Sequence, residues 1–290
     1  MADDLQLARR AVRAGAEVAM RYFAALAELR HERKADGSVV TEADRAVEAA
    51  IRDVLTAARP GDAVLGEEGG EEGGEEGGTV GGEEGGEDGA GAGLGRRRWI
   101  IDPIDGTALF VAGDDRWLVL LALEVDGEIV AGVAAMPAQA RIFWATRGGY
   151  AWESGAGGQE RRITAAAGRS GDLAESRLAV LPTVDDPVTG ANVIPKDPQV
   201  VAPLLAITPA RAWTIHPPLA VARGDLDLAV QTGGQIWDFA ATSLIVTEAG
   251  GVYRASDGGR RPRSGWSVFA RDEQIAEQAL HAVTADRARR

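Results

Sequence analysis

The chain has 290 residues, 45% of them hydrophobic, enough for a sizeable core in one large domain or two packed halves. It contains no cysteine, which excludes disulfides, thiolate zinc sites and a cysteine nucleophile. The formal net charge is -13, but ten acidic and no basic residues lie between Glu67 and Asp88, so the balance elsewhere is only about -3, and nothing suggests a footprint for nucleic acid.

Met1-Ala2-Asp3-Asp4 is an acidic start, and no uncharged apolar run reaches the roughly 18 residues of a membrane span. Neither a signal peptide nor a membrane partner is expected, and the expected location is cytoplasmic. Along residues 4–29, Leu5, Ala8, Val12, Ala16, Ala19 and Phe23 recur on one helical face. A second helix is predicted from Glu42 to Ala58, with Val47, Ile51, Val54 and Leu55 inward. Thr41 stands as its cap and Asp44 in capping-box position. Pro60-Gly61-Asp62 is a turn, and Ala63-Val64-Leu65 a short buried strand.

From Glu67 to Gly95 the chain repeats Glu-Glu-Gly-Gly and offers almost nothing to bury. It is predicted to be a flexible, solvated loop over about 68–96. Trp99-Ile100-Ile101 resumes as a strand. Trp117–Val125 and Ile129–Met136 are predicted to pair across a turn at Asp126-Gly127, and Arg141–Ala145 to add another strand. A strand ends at Ala229-Val230, a helix runs from Asp238 to Glu248 before Gly250-Gly251, Ser267–Ala270 is a strand, and Asp272–Val283 a last helix. Strands and helices alternate without a strict βαβ rhythm, which favours a layered α/β or α+β fold over a barrel. The expected division is an N-terminal half, 1–140, and a C-terminal half, 141–290.

The densest chemistry is Asp102-Pro103-Ile104-Asp105-Gly106-Thr107, directly after the Trp99 strand. Pro and Gly turn the chain tightly there, so both carboxylates and the Ile104 carbonyl can face one centre. Such hard oxygen donors suit Mg²⁺. Taken alone, Asp-x-x-Asp-Gly fits an Asx-type turn closing a strand, and Asp238 alone fits a simple helix cap. Gly66-Glu67-Glu68, after the Ala63 strand, and Trp237-Asp238, opening a helix, supply further carboxylates from separate parts of the chain. His31, His216 and His281 read as structural or surface residues.

Val40-Thr41-Glu42-Ala43-Asp44, Gly66-Glu67-Glu68, Asp102 to Thr107, and Trp237-Asp238 with Glu248-Ala249-Gly250-Gly251 together resemble the inositol monophosphatase superfamily of metal-dependent phosphatases. Residues 34–67 look most like bacterial histidinol-phosphate phosphatases. The resemblance implies a layered αβαβα sandwich and a phosphate monoester hydrolase. Glu67, Asp102 and the Ile104 carbonyl would hold one Mg²⁺, and Asp102, Asp105 and Asp238 a second; Glu67 would help with a third, and Mn²⁺ would substitute. Thr107, bonded to Asp44 and helped by Glu67, would orient the attacking water, and the Gly106 and Thr107 amides would hold phosphate oxygens. The resemblance also implies a small phosphorylated substrate and a homodimer.

Two positions and one segment depart from that pattern. Leu109 stands where the family usually has Asn, and Gln231 where a Glu contacts substrate hydroxyls or an amine. Trp213-Thr214-Ile215-His216-Pro217-Pro218 replaces a run of small residues. Thr214 and Gln231 are therefore the candidate substrate contacts. Two other readings remain open. A nucleotide 3′-phosphatase would need a basic, roomier pocket, and no basic cluster accompanies the motifs. A non-catalytic binding member is favoured by Leu109 and Gln231 and opposed by the complete carboxylate set.

Overall fold

A computed structural model describes residues 2–26, 31–33, 39–74, 96–165, 171–182 and 197–287. The chain opens with α1 (Ala2–Ala24) and the small pair β1 (His31–Arg33) and β2 (Val39–Thr41). Then come α2 (Glu42–Ala58), β3 (Ala63–Gly66), β4 (Gly70–Glu72), β5 (Arg97–Asp105) and α3 (Thr107–Val111). A meander follows: β6 (Leu118–Val125), β7 (Glu128–Met136), β8 (Arg141–Thr146), β9 (Ala151–Ser154) and β10 (Glu160–Ile163). The remainder is β11 (Leu178–Leu181), α4 (Pro198–Leu205), α5 (Pro217–Ala222), β12 (Leu228–Gln231), α6 (Ile236–Glu248), β13 (Val252–Ala255), β14 (Ser267–Ala270) and α7 (Glu273–Arg287).

Eight strands form one sheet in the order β10-β9-β8-β7-β6-β5-β3-β4, and four form a second in the order β11-β12-β14-β13. The period of two along β5 and β6 makes the large sheet apolar on both faces. Trp99, Ile101, Val119, Leu121 and Leu123 face one way, onto Leu7, Val12, Val47, Ile51 and Leu55 of α1 and α2. Ile100, Leu118, Leu120 and Ala122 face the other way, onto α5, α6 and the inner side of the small sheet. The outer side of the small sheet, Leu178, Val180, Leu228, Val230 and Val268, is covered by α4 and α7. The layers are therefore αβαβα, as expected.

Local signals place most elements. Thr41 caps α2, and the reciprocal bonds with Asp44 form the predicted capping box. Asp126 and Gly127 both adopt positive φ, 54° and 77°, the geometry of a tight hairpin turn between β6 and β7. The first helix ends at Ala24, short of residue 29. The last strand of the meander's predicted part runs to Thr146, and two more strands, β9 and β10, extend the sheet beyond it.

The acidic repeat needs a correction. Gly70–Glu72 is not a flexible loop but an exposed strand, antiparallel to β3 with Val64 opposite Glu72 and Gly66 opposite Gly70. Its charges have partners: Glu71 pairs with Arg96, and Glu72 lies 3.5 Å from Arg52. Backbone pairing and arginines from the neighbouring elements outweigh a composition that by itself disfavours order. The rest of the predicted loop, 75–95, lies outside the described residues.

Candidate metal centre and active site

The site forms where the C-terminal ends of β3 and β5 lie side by side. These strands are parallel, with Gly66 opposite Ile101, and the Glu67 amide donates to the Ile101 carbonyl at 3.3 Å. Glu67 and Asp102 therefore leave the sheet next to each other. Beyond Asp102 the pairing with β6 shifts. Asp102 faces Leu120 and Asp105 faces Leu118, so three steps on β5 match two on β6. In a regular strand, residues three apart point to opposite faces. This bulge, which also accommodates Pro103, returns Asp105 to the side of Asp102. The strand thus continues through the motif to Asp105, whereas the sequence predicts a strand at Trp99-Ile100-Ile101 with the motif directly after it.

Gly106 then takes φ 85°, a left-handed conformation that favours glycine, and α3 begins at Thr107. Phe110 fixes this short helix. It is fully buried against Trp117, ring centroids 4.9 Å apart, and Phe23 of α1, 5.3 Å apart. Leu109, the departure from the family's Asn, packs toward the core shared by the two sheets.

The third carboxylate comes from α6. This helix starts at Ile236, two residues earlier than predicted, which makes Asp238 its third residue and not its cap. Asp238 Oδ2 accepts the Gln235 amide at 2.7 Å. Asp102, Asp105 and Asp238 each offer an oxygen within 4.8 Å of the others. Two of the oxygens here, Asp102 Oδ1 and Asp105 Oδ2, are buried without a hydrogen-bond partner. Burial, and then the charges of Glu67, Asp105, Asp238 and Asp44, push the Asp102 carboxyl well above its ordinary range. Buried, mutually repelling carboxylates with unpartnered oxygens are the donor set a hard divalent cation satisfies, so the residues fit Mg²⁺. Glu67 lies outside the three-oxygen cluster but close enough for its charge to be the largest on Asp102.

Thr107 and Asp44 meet as expected. The Thr107 hydroxyl is 3.0 Å from Asp44 Oδ1 and 3.0 Å from the Ile104 carbonyl, so its proton goes to one or is shared. Asp44 Oδ2 accepts the Thr41 amide at 2.8 Å and its hydroxyl at 2.6 Å. Burial raises the Asp44 carboxyl above its ordinary value despite those bonds from Thr41 and Thr107, and the Glu68 charge adds to the rise.

Of the candidate substrate contacts, Gln231 ends β12 and is buried, with Oε1 unpartnered. Thr214 is exposed, and its carbonyl accepts Gln139 Nε2 at 2.7 Å. Two residues at the site were given no role there from the sequence. Glu48, 2% exposed, accepts the Glu68 amide at 2.8 Å, the Gly69 amide at 2.9 Å and Arg52 Nε at 2.8 Å. A side chain at Gly66 would place its Cβ 2.2 Å from the Glu48 carboxylate, which explains the glycine. The only advance sign was an acidic residue on the inward face of α2. The other is His216, expected to be structural or on the surface; it is buried, with Nε2 3.3 Å from Asp105 Oδ2. His281 is exposed on α7, and the side chain of His31 lies outside the described residues. No helix among the described residues is long and apolar enough to cross a membrane.

Comparison with known proteins places these features in context. The family described as the inositol monophosphatase family matches residues 1–289. A Streptomyces griseus protein named glucose-1-phosphate thymidylyltransferase is 35% identical over 279 residues, 93% of this chain and 92% of that one. A histidinol-phosphatase of Mycobacterium tuberculosis is 34% identical over 288 residues, 98% of each chain. The solved structure of an inositol monophosphatase from Zymomonas mobilis is 26% identical, with a TM-score of 0.71, covering 97% of this chain and 98% of that one.

Proposed function

The chain belongs to the inositol monophosphatase family, and on that premise we propose that it hydrolyses the phosphate monoester of a small polyol, sugar or amino alcohol with Mg²⁺. The observation that carries this reading is the cluster of Asp102, Asp105 and Asp238 within 4.8 Å, two of its oxygens buried and unpartnered. Glu67, Asp102 and the Ile104 carbonyl would hold one ion, and Asp102, Asp105 and Asp238 another. When bound, Mg²⁺ would neutralise the phosphate dianion and acidify a water molecule.

The protein's own groups do the rest. With its proton directed to Asp44 or the Ile104 carbonyl, the Thr107 hydroxyl presents lone pairs to a water. That would align the water for in-line attack on phosphorus, with Glu67 accepting its proton. Asp44, clamped by Thr41 from two sides, sets the direction of the Thr107 hydroxyl. The Gly106 and Thr107 amides would hold phosphate oxygens. On the alcohol side, Gln231 offers a donor and an acceptor but no charge, a weaker partner than a carboxylate for an ammonium or for a set of hydroxyls.

The test is phosphate release from a panel of inositol, sugar, amino-alcohol and nucleotide 3′-phosphates, with Mg²⁺, with Mn²⁺ and with chelator. The expected result is metal-dependent hydrolysis of one or more of the small esters. Full activity in chelator, or no hydrolysis of any ester, would overturn the proposal.

A further inference from the structure

His216 is the residue immediately before α5, whose first residues are Pro217 and Pro218. Its side chain is 3% exposed. Nε2 stands 3.3 Å from Asp105 Oδ2, an oxygen that is itself buried and has no hydrogen-bond partner. At that separation two lone pairs repel, whereas an N–H directed at a carboxylate oxygen attracts. The proton of the imidazole therefore belongs on Nε2. This agrees with the other nitrogen, Nδ1, which is buried and unpartnered.

The ring is held in this place by a built support. Trp213 meets it edge to face, with centroids 6.2 Å apart and planes at 82°. The Arg116 guanidinium lies over Trp213, 4.5 Å from the ring centre, and Nη1 donates to the Trp213 carbonyl at 3.1 Å. Arg116 is in turn clamped by Asp114, with Nε to Oδ1 and Nη2 to Oδ2 both at 2.8 Å. Gln139 fixes the next carbonyl, that of Thr214. A run of small residues has no side chain that reaches Asp105. The segment Trp213–Pro218 has one, and the chain Asp114, Arg116, Trp213 aims it.

We propose that His216 is a positioning residue of the metal centre: its Nε2–H, set 3.3 Å from Asp105 Oδ2 in a charge–dipole contact that is not aligned as a hydrogen bond, biases the rotation at which Asp105 presents a ligand oxygen beside Asp102 and Asp238. The inference rests on the proposed metal site. Groups that orient a ligand in this way typically change metal affinity by about 10–100-fold when removed. A histidine that only fills space makes a different prediction, because phenylalanine keeps the ring and the contact with Trp213, whereas glutamine keeps an N–H at a similar reach and loses the ring.

The experiment is calorimetric titration of the full-length, metal-stripped chain with Mn²⁺, for wild type, His216→Gln, His216→Phe and the control Asp105→Asn. Thermal melts of each are recorded without metal. The expected result is that Asp105→Asn abolishes a Mn²⁺ site, His216→Phe weakens the same site about tenfold or more, and His216→Gln stays within about threefold of wild type. If His216→Phe does not fold, His216→Ala is compared with His216→Gln in the same titration. Phenylalanine binding like wild type, or glutamine as weak as phenylalanine, would overturn the role of His216 while leaving the metal site standing. An Asp105→Asn chain that binds Mn²⁺ like wild type would instead overturn the metal site itself.

Discussion

Replacing Glu48 probes how Glu67 is held without touching a proposed ligand. The Glu48 carboxylate takes two amides of the turn after β3, those of Glu68 and Gly69, and the Nε of Arg52. Hydrogen bonds to a charged group contribute about 1.5–3 kcal/mol each, and removing one member of a buried ion pair costs about 3–5 kcal/mol. These overlap, because the same carboxylate serves all three donors. Arg52 retains the Gly70 carbonyl at 2.6 Å and the Val64 carbonyl at 3.2 Å, which offsets part of the loss. Glu48→Ala should therefore destabilise the fold by about 3–5 kcal/mol. Glu48→Gln keeps one acceptor oxygen but turns an NH₂ toward a donor, and should cost about 1–3 kcal/mol. The released turn carries Glu67, so the Mg²⁺ concentration for half-maximal rate should rise about tenfold, equivalent to roughly 1.4 kcal/mol. The rate at saturating Mg²⁺ should fall only a few-fold. Urea unfolding measures the first effect and Mg²⁺ titration of the initial rate the second. A Glu48→Ala chain with wild-type stability and wild-type Mg²⁺ dependence would refute the reasoning.

Asp102→Asn should reduce turnover by several orders of magnitude while raising the melting temperature of the metal-free protein, since it removes the most repelled carboxylate. In chelator, Asp102 keeps its proton in the folded state to a higher pH than in the unfolded chain, where its ordinary value is 3.8. The folded state then binds more protons in that window, so stability should fall as pH rises through it, and saturating Mg²⁺ should flatten the slope. Melts that strengthen with pH in chelator would contradict this. Asp227 behaves oppositely. Burial would raise its carboxyl, but bonds from Arg177 and the charge of Arg271 hold it below the ordinary value. The stability it contributes is present above that ordinary value and lost as pH falls through the lowered one, so Asp227→Asn should blunt acid unfolding. Gln231→Glu should shift preference toward esters bearing an amine, and the wild type should turn over inositol 1-phosphate poorly. Efficient wild-type hydrolysis of that ester would show that Gln231 and Leu109 matter less than argued.

The signals that worked from sequence were local. The cap and box at Thr41 and Asp44, the turn at Asp126-Gly127 and the helical stripe of α2 each depend on residues a few positions apart, which cannot separate in the fold. The motif from Asp102 to Thr107 was legible for the same reason: strand, proline, glycine and carboxylates are contiguous. What lay beyond reach was every decision about which distant segment becomes a neighbour. Strand β4 exists because β3 offers it an edge and Arg52 and Arg96 offer it charge, although its own residues favour solvent. The bulge that turns Asp105 back toward Asp102 is a register relation to β6 and has no signature in β5 beyond Pro103. Glu48 reaches the turn after β3 across twenty residues, and His216, the residue before α5, reaches Asp105 only because the packing brings it to the end of β5. Residue types fix which groups are able to bond. Only the packing of the layers decides which of them meet, because burial against a particular neighbour is a property of the whole chain.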